Sequence, residues 1–238
     1  EFVFIAEAYW DLEYVLQQQG FDYCYDKRLY DRLAHEGAED VRGHLTADLG
    51  YQRGLVRFVE NHDEPRAAAT FPPGRHRAAA VTTLTQTGAR LVHEGQLEGR
   101  RVRPPVFLAR RPDEQPDTDL RAFYERLLAA LRDPVFRGGD WQLGERTGWE
   151  GNGTWRNLVA WGWRGAGPSK LVVVNLGDAP ASGHVSLPWD DLAGRAWRLR
   201  DARTDEVYER SGDDLRGGLF VALEPYGFHL FDLRPVEG

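Results

Sequence analysis

Residues 2–10 read Phe-Val-Phe-Ile-Ala-Glu-Ala-Tyr-Trp. An unbroken apolar run from Phe2 to Ala6 ends in a carboxylate at Glu7, with two aromatic rings directly behind it. Apolar residues without polar alternation suit a strand buried on both faces, the pattern of a parallel sheet covered by helices. Outward from this stretch the same unit recurs. A helix is expected over Asp11–Gly20, with Leu12, Val15, Leu16 and Gln19 on one face and Gly20 as its stop. Phe21–Tyr25 reads as a strand, Lys27–His35 and Ala38–Leu49 as helices, and Leu55–Glu60 as a third strand. Arg75–Thr87 begins as a helix, and Gly88 opens a short fourth strand, Arg90–His93. A polar, proline-rich loop runs to Pro116. Leu120, Phe123, Tyr124, Leu127, Leu128 and Leu131 then mark a helix over Asp119–Arg132, capped by Asp117 or Thr118.

Strand and helix alternating four times point to a parallel α/β sheet. Four such units in residues 1–133 are half of a (β/α)8 TIM barrel, a fold of about 250 residues when complete. From 134 to 238 the texture changes to short apolar strands: Trp155–Trp163, Lys170–Asn175, His184–Leu187, Ala196–Arg200, Leu219–Leu223 and Phe228–Leu233. Gly- and Asp-rich turns separate them, so an all-β sandwich domain is expected there.

Composition narrows the function. Of 238 residues, 42% are hydrophobic and 28% charged, a globular balance. The net charge of −7 argues against nucleic acid or an anionic membrane as partner. The single cysteine, Cys24, excludes an internal disulfide and a multi-cysteine metal site, and its apolar surroundings mark it as a buried thiol. No secretion-like leader is legible, and a cytoplasmic setting is expected. The chain has no methionine and opens directly on a strand, so Glu1 is expected to be a cut inside a longer polypeptide.

Polar residues just past the C-terminal ends of parallel barrel strands are the functional positions of such a fold. Glu7 is one. Phe58-Val-Glu-Asn-His-Asp63 ends the third strand in a second cluster, 56 positions later, two strand–helix units on. Two carboxylates at one barrel mouth, beside histidine and aromatic rings, suit cleavage of a glycosidic bond. One carboxyl donates a proton to the leaving oxygen, and the other balances an oxocarbenium-like transition state. Nearby like charge and apolar surroundings favour the protonated donor.

Phe4-Ile-Ala-Glu-Ala-Tyr-Trp10 resembles the segment around the fifth barrel strand of the α-amylase superfamily, glycoside hydrolase family 13. Phe58-Val-Glu-Asn-His-Asp63 is similar to its Asn-His-Asp motif after the seventh strand. Gly88–Glu98 is a looser match to the eighth-strand segment, with Ala89 in place of a proline and Leu97 between Gln96 and Glu98. Leu223-Glu-Pro-Tyr-Gly-Phe-His-Leu-Phe231 is similar to the end of the family's C-terminal β-domain.

The resemblance implies a retaining α-glucan hydrolase or, alternatively, a transglycosylase. It matches Glu7 to the general acid/base, Asp63 to the transition-state stabiliser and His62 to a hydroxyl-binding histidine. Tyr9 and Trp10 would offer a sugar ring an apolar face or pack beneath the loop. Asn61 falls in the binding segment, though support of the loop fits it better. His93, Glu94 and Glu98 would stand at the end of the eighth strand. No residue matches the family's aspartate nucleophile, which follows the fourth strand. The expected partners are therefore an α-glucan or maltooligosaccharide and a missing N-terminal half of the same barrel, without which the chain is expected to be inactive. No cofactor and no metal site are expected. Two non-catalytic readings stand beside this one: a scaffold relative, and a sugar-binding module using the tryptophans of residues 134–238.

Overall fold

A computed structural model describes residues 2–105, 107 and 110–236; part of the proline-rich loop, 106 and 108–109, lies outside them. The chain separates into two compact units. The first comprises residues 1–36 and 43–128, and the second 37–42 and 129–238.

The first unit holds a four-stranded parallel sheet in sequential order: β1 (Ile5–Ala6), β2 (Tyr23–Tyr25), β3 (Leu55–Arg57) and β4 (Ala89–Arg90). Helix α1 (Glu13–Gln18) connects β1 to β2, and Gly20 follows it in the left-handed region at φ +103°, as a stop requires. Between β2 and β3 lie α2 (Lys27–His35), α3 (Ala38–Leu45) and α4 (Leu49–Arg53). The single helix expected over 38–49 is thus broken. The Asp48 side chain accepts from the Tyr51 amide and starts a new helix there. Between β3 and β4 lie α5 (Ala67–Thr70) and α6 (Pro73–Leu84), and α7 (Thr118–Ala130) follows β4. Asp117 caps α7, accepting from the amides of Asp119 and Leu120. Gly88, at φ +97°, has no room for a side chain, because a Cβ would lie 2.4 Å from the Leu55 carbonyl oxygen. Cys24 is fully buried, its thiol donating to the Glu13 carbonyl at 3.4 Å.

One expectation fails in this unit. The run Phe2–Ile5 is not buried on both faces: each of its residues is more than half exposed. β1 is an edge strand, paired only with β2, and no described element of the chain covers its outer side.

The second unit opens with α8 (Val135–Gly138) and continues as two antiparallel sheets. Its strands are β5 (Asp140–Leu143), β6 (Glu145–Thr147), β7 (Leu158–Arg164), β8 (Ser169–Asn175), β9 (Ala181–Ser186), β10 (Ala196–Asp201), β11 (Val207–Ser211), β12 (Leu219–Leu223) and β13 (Phe228–Pro235). A short helix, α9 (Gly212–Gly217), precedes β12. One sheet runs β11-β10-β13-β8-β7-β5 and the other β12-β9-β6. Three strands escape the sequence reading: β5 and β6, each of four residues or fewer, and β11, largely exposed. Leu158, Val173, Val185, Leu199 and Val221 from the two sheets share one core with Trp189 of the loop after β9. Gly162 leaves the space that the Trp189 ring fills, since a Cβ there would lie 2.5 Å from it.

Candidate active site

Parallel strands bring their C-terminal ends to one edge of the sheet, and the expected residues meet there. Glu7 leaves β1, and Asn61, His62 and Asp63 leave the extension of β3. The His62 Nε2 lies 3.3 Å from a Glu7 carboxylate oxygen and 3.6 Å from an Asp63 oxygen. One ligand atom from each of the three lies within 4.8 Å of the others. All three side chains are open to solvent, so an incoming molecule can reach them. A spacing of that order lets both carboxylates contact neighbouring atoms of one pyranose ring.

Neighbouring groups hold this arrangement. The Tyr9 hydroxyl donates to Glu7 Oε1 at 3.1 Å. Burial raises the pKa of Tyr9, and the charge of Glu7 raises it further, so the phenol keeps the proton it donates. Tyr25, at the end of β2, is raised by burial and then by Glu7 and Asp63. Trp10 stands edge-on to Tyr9, with ring centroids 5.8 Å apart, and is 83% exposed. Trp10 and Asp11 both occupy the left-handed region, at φ +63° and +65°, which costs roughly 1–3 kcal/mol per non-glycine residue. The exposed indole lines a groove together with Tyr9, Glu13, Lys27, Arg28 and Asp31. Asn61 is buried, and its side-chain oxygen accepts from the amides of Asp63 at 2.9 Å and Glu64 at 2.8 Å. It shapes the turn that presents His62 and Asp63.

Beneath this rim lie two buried polar networks that sequence reasoning did not single out. Glu60 is fully buried, accepts from the Ala67 amide at 2.6 Å and pairs with Arg66 at 3.0 Å. Its carboxylate also lies 3.1 Å from His93 Nδ1. Burial pushes the Glu60 pKa up to about 7, against the opposing pull of the Ala67 amide and Arg66. The cluster ties the loop after β3 to the loop after β4. Of the other eighth-strand candidates, Glu94 pairs with Arg111 at the surface and Glu98 lies 4.0 Å from Arg121. In the second network Asp26 caps α2 through the Leu29 amide and bonds Arg57 and His44. Arg57 also reaches Gln52 and the Thr87 carbonyl. Burial alone would raise the Asp26 pKa, yet Arg57 and His44 together hold it at about 2. The capping position of Asp26, just before a helical run, was the available sequence signal.

Four parallel strands with helical connections, carboxylates and a histidine at their C-terminal rim, and then an antiparallel β domain define a class. This is the fold of the C-terminal half of α-amylases: the second half of the catalytic barrel, followed in sequence by the β domain. Among particular relatives, an α-amylase of Haloarcula japonica, MalA, is 28% identical over 179 residues, spanning 71% of this chain and 26% of that protein. A maltogenic α-amylase of Thermotoga neapolitana, AmyB, matches the whole chain in structure, with a TM-score of 0.75, 18% identity and 55% of its own length covered. The acarbose-bound α-amylase of Geobacillus thermoleovorans matches 98% of the chain, with a TM-score of 0.73, 16% identity and 53% of its length covered. The chain thus spans about a quarter of the sequence relative and about half of these solved enzymes. No protein-family model matches it. Among the described residues no helix is long and apolar enough to cross a membrane.

Proposed function

We propose that this chain carries the acid/base half of the active site of a retaining, α-glucan-cleaving glycosidase. One observation carries the reading: Glu7, His62 and Asp63 converge within 4.8 Å at the C-terminal rim of a parallel sheet. Glu7 protonates the glycosidic oxygen as the bond to the anomeric carbon breaks. Asp63 and His62 grip ring hydroxyls and balance the positive charge that develops there. The Tyr9 hydroxyl orients the acid, and Trp10 offers an apolar surface to the ring on the leaving-group side. In the first unit these roles define a catalytic half-barrel.

A retaining mechanism also needs a nucleophilic carboxylate roughly 5–5.5 Å from the acid. We assign it to a second barrel half that pairs with this one. The exposed apolar edge of β1 supports that assignment, because such an edge is a template for further strands. So does the share of solved α-amylases that the chain spans. The substrate class, an α-glucan, rests on the sequence similarity to an α-amylase.

The test is starch hydrolysis, assayed on this chain alone and joined to an N-terminal barrel half that bears the nucleophile. The chain alone is expected to be inactive. The joined protein is expected to lose about 10²–10⁴-fold in kcat on Glu7→Gln, the usual contribution of a general acid. A loss of less than tenfold, or hydrolysis by the 238-residue chain itself, contradicts the reading.

A further inference from the structure

The β-sandwich places most of its tryptophans inside: Trp161, Trp163, Trp189 and Trp197 are at most 4% exposed. Trp149 is different. It stands 48% exposed in the loop after β6, beside Phe220 of β12, which is 56% exposed. Their ring centroids lie 6.3 Å apart, with planes inclined by 34°. His184 of β9 meets both rings at steep angles, 72° and 63°, with centroids 6.0 and 5.8 Å away, and so holds the pair apart and fixed.

The sheet register explains the grouping. Thr147, His184 and Phe220 are direct partners across β6, β9 and β12, on the face turned away from the core. Around the rings that face is small or hydroxylated, with Thr147, Ser182, Ser186 and Ala222, and its one charged strand residue, Glu145, is paired with Arg42 at 2.8 Å. The loop bearing Trp149 is tied down. Asn152 donates to the Ser182 carbonyl at 2.8 Å, and Thr154 Oγ1 accepts from the Ser182 amide at 3.1 Å. Two large aromatic surfaces are therefore held open to water at a rigid position, where burial would lower their free energy.

We infer that Trp149 and Phe220 form a docking platform for an α-linked glucan chain, separate from the Glu7–Asp63 site. A pyranose presents an apolar face of C–H bonds, which suits an aromatic π face, and a rim of hydroxyls, which suits the threonine and serines alongside. The ring row bears no charged side chain, so it fits a neutral polyol better than a charged protein or nucleic-acid partner. Two planes inclined by 34° follow the curvature of an α-1,4 chain, whereas a flat β-1,4 ribbon needs coplanar rings. The choice of α-glucan rests on the proposed function; the platform itself does not.

The test is affinity electrophoresis of the 238-residue chain in native gels containing amylopectin, with hydroxyethylcellulose as the β-linked control. Amylopectin is expected to retard the chain and hydroxyethylcellulose is not. Trp149→Ala with Phe220→Ala is expected to weaken retardation at least tenfold, while Trp149→Phe keeps most of it. Circular dichroism checks that the variants are folded, and retention in Trp149→Phe against loss in Trp149→Ala decides the matter if the double variant is not. Starch hydrolysis by the barrel-completed protein is measured alongside, with and without the two ring substitutions, so failure at the catalytic site and failure at the platform read out separately. No retardation, equal retardation in both gels, or retardation unaffected by removing the rings overturns the inference. So does a change confined to self-association of the chain, which would make the patch a contact between copies.

Discussion

The two units of this chain use apolar surface in opposite ways. In the sandwich, β9 and β12 of the three-stranded sheet and the facing strands of the larger one turn aliphatic residues toward a common core, and Leu158, Val173, Val185 and Leu199 are at most 1% exposed. In the parallel unit, the apolar run Phe2–Ile5 stays more than half exposed, while charged groups go inside: Asp26, Arg57, Glu60 and Arg66 are at most 2% exposed. An antiparallel sandwich can satisfy itself, because each sheet covers the other. A parallel sheet with an open edge cannot, and beside its own hydrocarbon core it buries ion networks that fix the loops of the rim. Both units have a close-packed hydrocarbon core, with Leu29, Leu55, Val59 and Leu84 in the first; the difference is that the first also buries paired charge beneath its rim and leaves an apolar strand edge open.

Thermal unfolding of single variants probes that contrast. Asp26→Ala leaves Arg57 buried without its carboxylate and is expected to cost about 3–5 kcal/mol, the usual consequence of breaking one partner of a buried pair. Leu171→Ala in the sandwich core is expected to cost about 2–5 kcal/mol through lost burial and a cavity. Ile5→Lys at the exposed edge is expected to change stability by less than about 0.5 kcal/mol. A large loss at Ile5, or a negligible one at Asp26, breaks the comparison.

The pH dependence sharpens it further. The ordinary pKa of Glu60 is 4.5, and in the folded protein it rises to about 7. Between those values the folded state holds a proton that the unfolded state has lost. The contribution of Glu60 to stability is therefore complete below pH 4.5 and is lost as pH rises toward 7, with a limiting slope of about 1.4 kcal/mol per pH unit. Glu60→Gln is expected to flatten this part of the stability–pH curve; an unchanged curve means that Glu60 is ionised throughout.

Much of this was legible in the residues. Glu7 and Asp63 could be placed at one rim because a parallel strand's direction decides which end its terminal carboxylate faces. Helix α7 and the stop at Gly20 followed from spacing and backbone freedom. The buried role of Glu60 was not legible, since a glutamate at a strand end is ordinarily solvated. Its partners Arg66 and His93 lie 6 and 33 positions away, and only the fold brings them together. The exposure of Phe2–Ile5 was hidden for the converse reason: an apolar run states that it is suited to burial, not which element buries it. Trp149 sits in a tryptophan-rich stretch whose other members are mostly core, and only the register of β6, β9 and β12 sets it apart.

The central claim is that Glu7, His62 and Asp63 serve one sugar ring. A crystal structure of the barrel-completed protein as Glu7→Gln, soaked with maltooligosaccharide, tests it most directly. The account predicts one pyranose whose hydroxyls lie within hydrogen-bond distance of His62 and Asp63, with its glycosidic oxygen within about 3.2 Å of the residue-7 side chain. Saccharide density that leaves residue 7 and Asp63 on different rings, or leaves the rim empty while sugar binds elsewhere, would contradict it.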